Sequence, residues 1–263
     1  MKKMNLNGMR IIIKFLLNYF PRSILIRLSI IFRPVFNFLF SGDKFLDPIN
    51  EKSYSRFFPY GYNNPRKNAL SLGTLSLERH RLLWLYLKNE TSFFNVDNKI
   101  LHIAPEQCFY YFFKKYFKDY YTADLNSPLA EYKVDICKMP FEDNSFDFIL
   151  CNHVLEHVYD DDLAIIELRR VLKNNGVAIL QVPLDLKLKN TIDGRDINNL
   201  KKRNELFGQY DHLRVYGNDF FDKIKKHGFN VKRVKYCDNL SANQIKKYGL
   251  IKEEIIPYCV KVQ

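Results

Sequence analysis

No two cysteines in this chain stand at metal-clip spacing. The five present, Cys108, Cys137, Cys151, Cys237 and Cys259, are scattered and odd in number. That argues against a disulfide framework and against a Cys-x-x-Cys zinc ribbon. Reduced thiols in a cytoplasmic protein are the simplest reading. Acidic residues are missing altogether from residues 1–42, although the whole chain holds 29. Long uncharged runs are missing there too. The longest, residues 34–42, is far short of the roughly 20 residues that a membrane-crossing helix requires. No apolar stretch followed by a small-residue cleavage site succeeds the basic start, so it does not read as a secretory signal. Neither an internal repeat nor a low-complexity tract is visible.

What is present is a well-supplied core. Hydrophobic residues make up 47% of the 263 positions, with 22 Phe and 17 Tyr. That composition suits one large folded domain with an appendage. The net charge is +12, and residues 1–42 supply +7 of it through Lys2, Lys3, Arg10, Lys14, Arg22, Arg27 and Arg33. Arg10, Lys14 and Asn18 fall at i, i+4 and i+8 and share one helical face. Pro21 and Pro34 would break or kink the helices. Such a basic amphipathic arm suits an anionic membrane surface, at the inner face of the membrane for a cytoplasmic protein. It suits equally a helical lid on the domain, or a contact with a second copy in a homodimer.

The sequence divides into this arm (1–42), a loop-rich segment with a covering helix (43–98) and a main domain (99–263). Residues 43–75 read as loops, punctuated by Pro48, Pro59, Gly61, Pro65 and Gly73. A helix is predicted from Ser76 as N-cap, with Glu78 in its first turn and Leu77, Leu83, Trp84 and Leu87 on its apolar face. His80, between Arg79 and Arg81, is expected to face solvent or a salt-bridge partner.

Residues 99–183 form one phrase: KILHIAPEQ, YYTADL, YKVDICKMPFEDNSFDFILCNHVLEHV and ELRRVLKNNGVAILQVP. Strands are predicted at 100–103, 120–123, 133–136, 146–151 and 177–182. Helices fall at 107–117 and 162–172. The run at 146–151 is apolar throughout, as in a parallel strand buried on both faces. Several strands end in a polar or acidic residue. In such sheets ligands bind outside the carboxyl ends of the strands, so the pattern advertises a nucleoside-type cofactor site. Residues 184–215 read as an irregular excursion over the rim. A helix at 219–227 and strands at 230–236 and 254–262 complete the chain. The expected fold class is α/β: a Rossmann-like, seven-stranded, mostly parallel sheet with helices on both faces, plus the N-terminal helical arm.

These motifs resemble the class I S-adenosylmethionine-dependent methyltransferases of the type 11 group. The block from Pro140 to Val158 is the most specific part. The flanks NPRKNALSLGTLSLERHRLLW and FGQYDHLRVYG resemble a bacterial subgroup often found near glycan-biosynthesis genes. The resemblance implies S-adenosylmethionine as cofactor and a small molecule or glycan precursor as acceptor, with O-methylation favoured. It implies a ribose contact for Asp124 with Leu125 beside the adenine, and an adenine contact for Asp135 and Ile136. Asn152 and His153 would lie beneath the methionine portion.

One departure concerns the first motif. The usual loop is glycine-rich because backbone must approach the cofactor, whereas this loop is His102-Ile103-Ala104-Pro105-Glu106, of which His102, Ala104 and Glu106 are the candidate cofactor contacts. Ala104 is small enough to substitute, Pro105 removes an amide donor, and Glu106 could pair with the cofactor's ammonium group. A non-catalytic cofactor-binding or scaffold relative is the corresponding alternative. A second departure is the absence of zinc-knuckle cysteines known in some relatives. Here the corresponding stretches are Asp47-Pro48-Ile49-Asn50 and Ser71-Leu72-Gly73-Thr74, so no structural zinc is expected there.

His153-Val154-Leu155-Glu156-His157 also matches H-x-x-E-H, an inverted zinc-peptidase signature. It directly follows a buried strand of the methyltransferase pattern, so helix-start packing is the expected role of Glu156 and His157. No metal is expected. For an acceptor hydroxyl, His153 and His212 are the candidate general bases. Tyr210 and Arg214 are the candidate acceptor contacts, Arg214 for an anionic group. A nucleic-acid methyltransferase is a second alternative, suggested by the net charge, but nucleic acid is not an expected partner, because the positive excess lies in the apolar arm rather than on a polar patch.

Overall fold

The structure is a computed structural model that describes residues 20–61 and 65–263. Arg10, Lys14 and Asn18 lie outside the described residues. Helix α1 spans Arg22–Leu39. Two hairpin ribbons follow, β1 (Ser41–Asp47) with β2 (Lys52–Tyr54) and β3 (Phe58–Tyr60) with β4 (Arg66–Leu70). Then come α2 (Glu78–Glu90), β5 (Ile100–Ile103), α3 (Gln107–Tyr116), β6 (Tyr120–Asp124), β7 (Tyr132–Lys133) and β8 (Phe146–Cys151). The second half holds α4 (Asp161–Val171), β9 (Leu172–Ile179), β10 (Ile192–Asp193), α5 (Leu200–Phe207), β11 (Arg214–Val215), α6 (Phe220–Lys226), β12 (Phe229–Val234), α7 (Ala242–Tyr248) and β13 (Ile256–Lys261).

Seven strands form the central sheet in the order β12-β13-β9-β8-β5-β6-β7. The stretch from β9 to β7 is parallel, and β13 runs antiparallel to both of its neighbours. Alternating residues of β8 serve opposite layers, as strand geometry requires. Phe148 and Leu150 pack with Leu82, Trp84, Phe109 and Phe113 of α2 and α3. Ile149 and Cys151 pack with Ala164, Leu168, Phe220 and Ile224 of α4 and α6. Strand β5 lies between β8 and β6, so the chain reverses its order of travel between β5 and β8. In sheets of this kind the ligand crevice lies at such a switch point, at the carboxyl ends of the strands.

Several expectations are corrected. Residues 41–60 and 66–70 form two strand ribbons rather than loops, and residues 184–215 contain α5 and the ribbon β10–β11. Their strands are two to seven residues long, too short for alternation to register in the sequence. The strand after α4 starts at Leu172 rather than Val177; its pairing with β8 jumps from Leu172 to Val177, so the residues between them bulge out, with Asn175 at φ +60°. The cap of α2 is Leu77, whose backbone N–H donates to Nδ1 of His80 at 3.1 Å. His80 is accordingly buried, not solvent-facing.

Ser76 serves a different purpose. The fully buried carboxylate of Asp47 accepts hydrogen bonds from Thr74 Oγ1 at 2.6 Å and Ser76 Oγ at 3.1 Å. It thereby joins the two segments where a zinc knuckle would stand. Beside it, the buried Arg81 guanidinium donates to the carbonyls of Ala69, Ser76, Tyr248 and Gly249 at 2.6–3.0 Å. Burial brings its pKa down to about 10. Asp47 and Arg81 together tie both ribbons and α7 to α2.

Helix α1 runs through Pro34 without a break and lies on this framework. Tyr54 donates to Asn37 Oδ1 at 2.6 Å, and Gln107 donates to Ser29 Oγ at 2.5 Å. Its outer face exposes Ile31 and Phe38. No helix of the described residues is long and apolar enough to cross a membrane.

Asp47→Ala would leave two buried hydroxyls and a buried guanidinium without their anionic partner. The expected loss is roughly 3–5 kcal/mol, as for other buried charge networks broken on one side. Urea denaturation measures it, and a loss below about 0.5 kcal/mol would remove Asp47 from this role.

Candidate cofactor and acceptor site

The crevice is built from strand ends. After β5 the backbone turns at Ala104, whose φ of +49° is left-handed, a conformation that favours glycine. Ala104 therefore reproduces the shape of the expected glycine turn. The next residues place Glu106 as the N-cap of α3, where a negative charge is stabilised by the helix dipole.

Glu106 is held from three sides. Its carboxylate makes a short contact with His102 Nε2, and its Oε1 accepts from Asn152 Nδ2 at 3.0 Å. His80 Nε2 stands 3.9 Å away. Burial alone would push the Glu106 carboxyl up. His102, His80 and Asn152 outweigh it and hold the pKa at about 2. Burial keeps His80 well below its ordinary value. The other ring nitrogen of His102 meets Tyr120 Oη at 2.7 Å. His102 is 0% exposed, which corrects its assignment as a direct cofactor contact: it positions Glu106.

Asn152 follows β8 across the switch point. It is buried, and its Oδ1 has no hydrogen-bond partner. An unpaired buried carbonyl is costly, and this one awaits a donor. Asp124 ends β6. Its Oδ1 accepts from the backbone of Asn126 at 2.7 Å and Ser127 at 2.5 Å. No hydrogen bond among the described residues engages Oδ2. Leu125 is 53% exposed beside it. Asp135 is exposed and caps its own turn through Cys137 N at 2.9 Å, while Ile136 is buried.

The acceptor-side residues divide. His153, at φ +54°, has Nδ1 3.3 Å from Glu156 Oε1, and its Nε2 is buried without a partner. Glu156 is buried on the other side of that contact. Burial raises its carboxyl, and the neighbouring His153 and His157 overcome this to leave it below the usual carboxylate range. His212 is buried, with Nδ1 3.2 Å from the Phe207 carbonyl, and burial pushes its imidazole pKa down. Tyr210 is exposed. Arg214 overturns expectation: it is 1% exposed and donates to the carbonyls of Leu155, Val158 and Tyr159 at 2.5–3.0 Å. Those bonds use it to hold the turn after β8, so it is not free for an anionic acceptor.

Sequence reasoning missed Gln181 and the site-side role of Glu156. Both side-chain polar atoms of Gln181 are buried and unpaired, and its carbonyl accepts from His153 N at 2.7 Å. The signal was a polar residue ending the apolar run VAIL, as Asn152 ends FDFILC.

Residues 110–180 match the family described as a methyltransferase domain. A stretch of 56 residues is 48% identical to an uncharacterized protein of Methanocaldococcus jannaschii, and it spans 20% of this chain and 24% of that protein. The chain is also similar to the solved structure of the Bacillus protein YcgJ (15% identity, 70% of this chain and 99% of that one, TM-score 0.45). It is similar to a Haemonchus contortus phosphoethanolamine N-methyltransferase solved with S-adenosyl-L-methionine (16%, 70% and 53%, TM-score 0.44).

Glu106 yields a pH prediction. A carboxyl held at about 2 when folded, against an ordinary 4.5, stabilises the fold fully above pH 4.5 and loses that contribution as pH falls toward 2. Wild type should exceed Glu106→Gln by roughly 1.5–3 kcal/mol at pH 6, the worth of a charged hydrogen bond. The gap should narrow as pH is lowered through 4 and 3. A gap that stays constant across urea titrations in this window would show that the charge on Glu106 is not what matters.

Proposed function

We propose that this chain, which carries a methyltransferase domain of the class I S-adenosylmethionine-dependent type, methylates a small molecule or glycan precursor at a hydroxyl oxygen. The observation that carries this reading is the pair of unengaged acceptors at the carboxyl ends of β8 and β6, Asn152 Oδ1, buried and unpaired, and Asp124 Oδ2, which no hydrogen bond among the described residues engages. The residues present fit the cofactor. Asp124 would accept hydrogen bonds from the ribose hydroxyls. Leu125 and Ile136 would flank the adenine, and Asp135 would take its amino group. Asn152 Oδ1 and the Glu106 charge would hold the ammonium tail. Ala104 permits close backbone approach.

When bound, S-adenosylmethionine supplies a sulfonium-activated methyl group. The protein's part is to align the acceptor and to take its proton. In-line positioning supplies most of the acceleration. His153 suits the proton transfer. The Glu156 carboxylate beside Nδ1 favours the tautomer with the proton on that nitrogen and leaves Nε2 as base. His212 is the second candidate, its pKa lowered and its Nδ1 engaged by a carbonyl. Tyr210, exposed at the rim, is available to an acceptor.

We also place the outer face of α1 on an anionic membrane surface. It presents Ile31 and Phe38 with Arg27 and no acid. Full-length protein should co-sediment with anionic vesicles and release as salt rises. The double variant Ile31→Asp, Phe38→Asp should lose this with cofactor affinity unchanged. Indifference of the wild type at low salt would leave this face to a second copy of the chain.

Calorimetry with S-adenosylmethionine tests the main reading. Asp124→Ala should weaken binding about ten- to a hundredfold, the loss of roughly 1.5–3 kcal/mol in charge-assisted hydrogen bonds. Equal affinity in both proteins would remove the assignment. A screen with labelled methyl donor then separates an enzyme, which labels a hydroxyl acceptor, from a scaffold, which binds and labels nothing.

A further inference from the structure

Glu156, His157 and His212 converge on one point. Each offers a potential ligand atom, and the three atoms lie within 4.8 Å of one another. They arrive on two segments, the turn Leu155–His157 after β8 and the loop before β11. Leu213 N joins these by donating to the Glu156 carbonyl at 2.8 Å.

Two further observations point to a ligand. Glu156 is 1% exposed; its Oε1 stands 3.3 Å from His153 Nδ1, and its Oε2 has no hydrogen-bond partner. Buried carboxylates are normally paired or bound to a metal. The histidines, moreover, are already oriented. His212 Nδ1 faces the Phe207 carbonyl at 3.2 Å, and His157 Nδ1 faces the Asp211 carbonyl at 3.1 Å. A carbonyl oxygen can only accept, so both Nδ1 atoms carry the proton and both Nε2 atoms keep a free lone pair. No hydrogen bond among the described residues engages either Nε2. This is the outer-shell arrangement that metal-binding histidines use.

We propose that Glu156, His157 and His212 bind one divalent transition-metal cation, with zinc the best fit to two imidazoles and a carboxylate. Donors about 2.1 Å from a tetrahedral zinc lie about 3.4 Å apart, so the cation draws the three atoms closer. The His157 side chain is 35% exposed, and it supplies that movement. Its exposure also leaves a coordination position open to water or an acceptor hydroxyl. The H-x-x-E-H pairing of His153 with His157 is not the site. Residues 155–157 form a tight 3-10 turn and His153 sits at φ +54°, so the two histidines do not share a helical face.

The test is titration of chelator-treated full-length protein with zinc by calorimetry, with cobalt absorption as a spectroscopic probe. One equivalent should bind. His157→Ala, at a partly exposed position that the fold tolerates, and His212→Ala should each weaken binding about tenfold or more, the range seen even for outer-shell changes. His153→Gln should retain it, with circular dichroism confirming that all variants fold. The proposal is overturned by no saturable binding in wild type, by unchanged affinity in folded His157→Ala, or by loss confined to His153→Gln.

Discussion

Everything at the rim depends on one buried carboxylate, that of Glu106. It stands where the chain reverses its travel across the sheet, and it joins the loop after β5 to Asn152 at the end of β8. His102 pins it from within β5, and Tyr120 of β6 holds His102 from behind. Three adjacent strands are thus cross-linked by side chains at the level where ligands bind. The arrangement fixes the Asn152 amide, whose nitrogen is spent on Glu106 and whose oxygen is left without a partner. Without Glu106 that amide could flip, and the crevice would lose the acceptor that marks it as a site.

The chain repeatedly places side-chain polar groups where glycine or metal would be expected. Ala104 adopts the left-handed turn at a cost of roughly 1–2 kcal/mol, which the surrounding β5–β6 pairing sustains. Asp47 closes the ribbons through Thr74 and Ser76, in segments that a zinc knuckle would join with thiolates. Arg214 fastens the turn after β8 through three carbonyls. Rigidity at the site's edges therefore comes from buried hydrogen-bonded charges, and these are sensitive to the loss of a single partner.

The central strands were legible because burial on both faces leaves a continuous apolar run, as in Phe146–Cys151. Asp124 and Asn152 were legible because a polar residue ending such a run has little structural reason to be there. The short ribbons at 41–70 and 192–215 were not, since most of their strands are only two or three residues long and carry no period. Arg81, His80 and Arg214 were misread or passed over for a different reason. Arginine and histidine are mostly surface residues, and only the three-dimensional packing shows several backbone carbonyls waiting around each guanidinium. The convergence of His212 with Glu156 and His157 joins positions 55 residues apart, which no local spacing announces.

The most direct test of the account is a crystal structure of the full chain with S-adenosylhomocysteine. The account predicts the ribose against Asp124 Oδ2, the adenine over Leu125 and Ile136, and the amino group within hydrogen-bond distance of Asn152 Oδ1. A nucleoside bound elsewhere, or an amino group that leaves Asn152 Oδ1 unpaired, would contradict it.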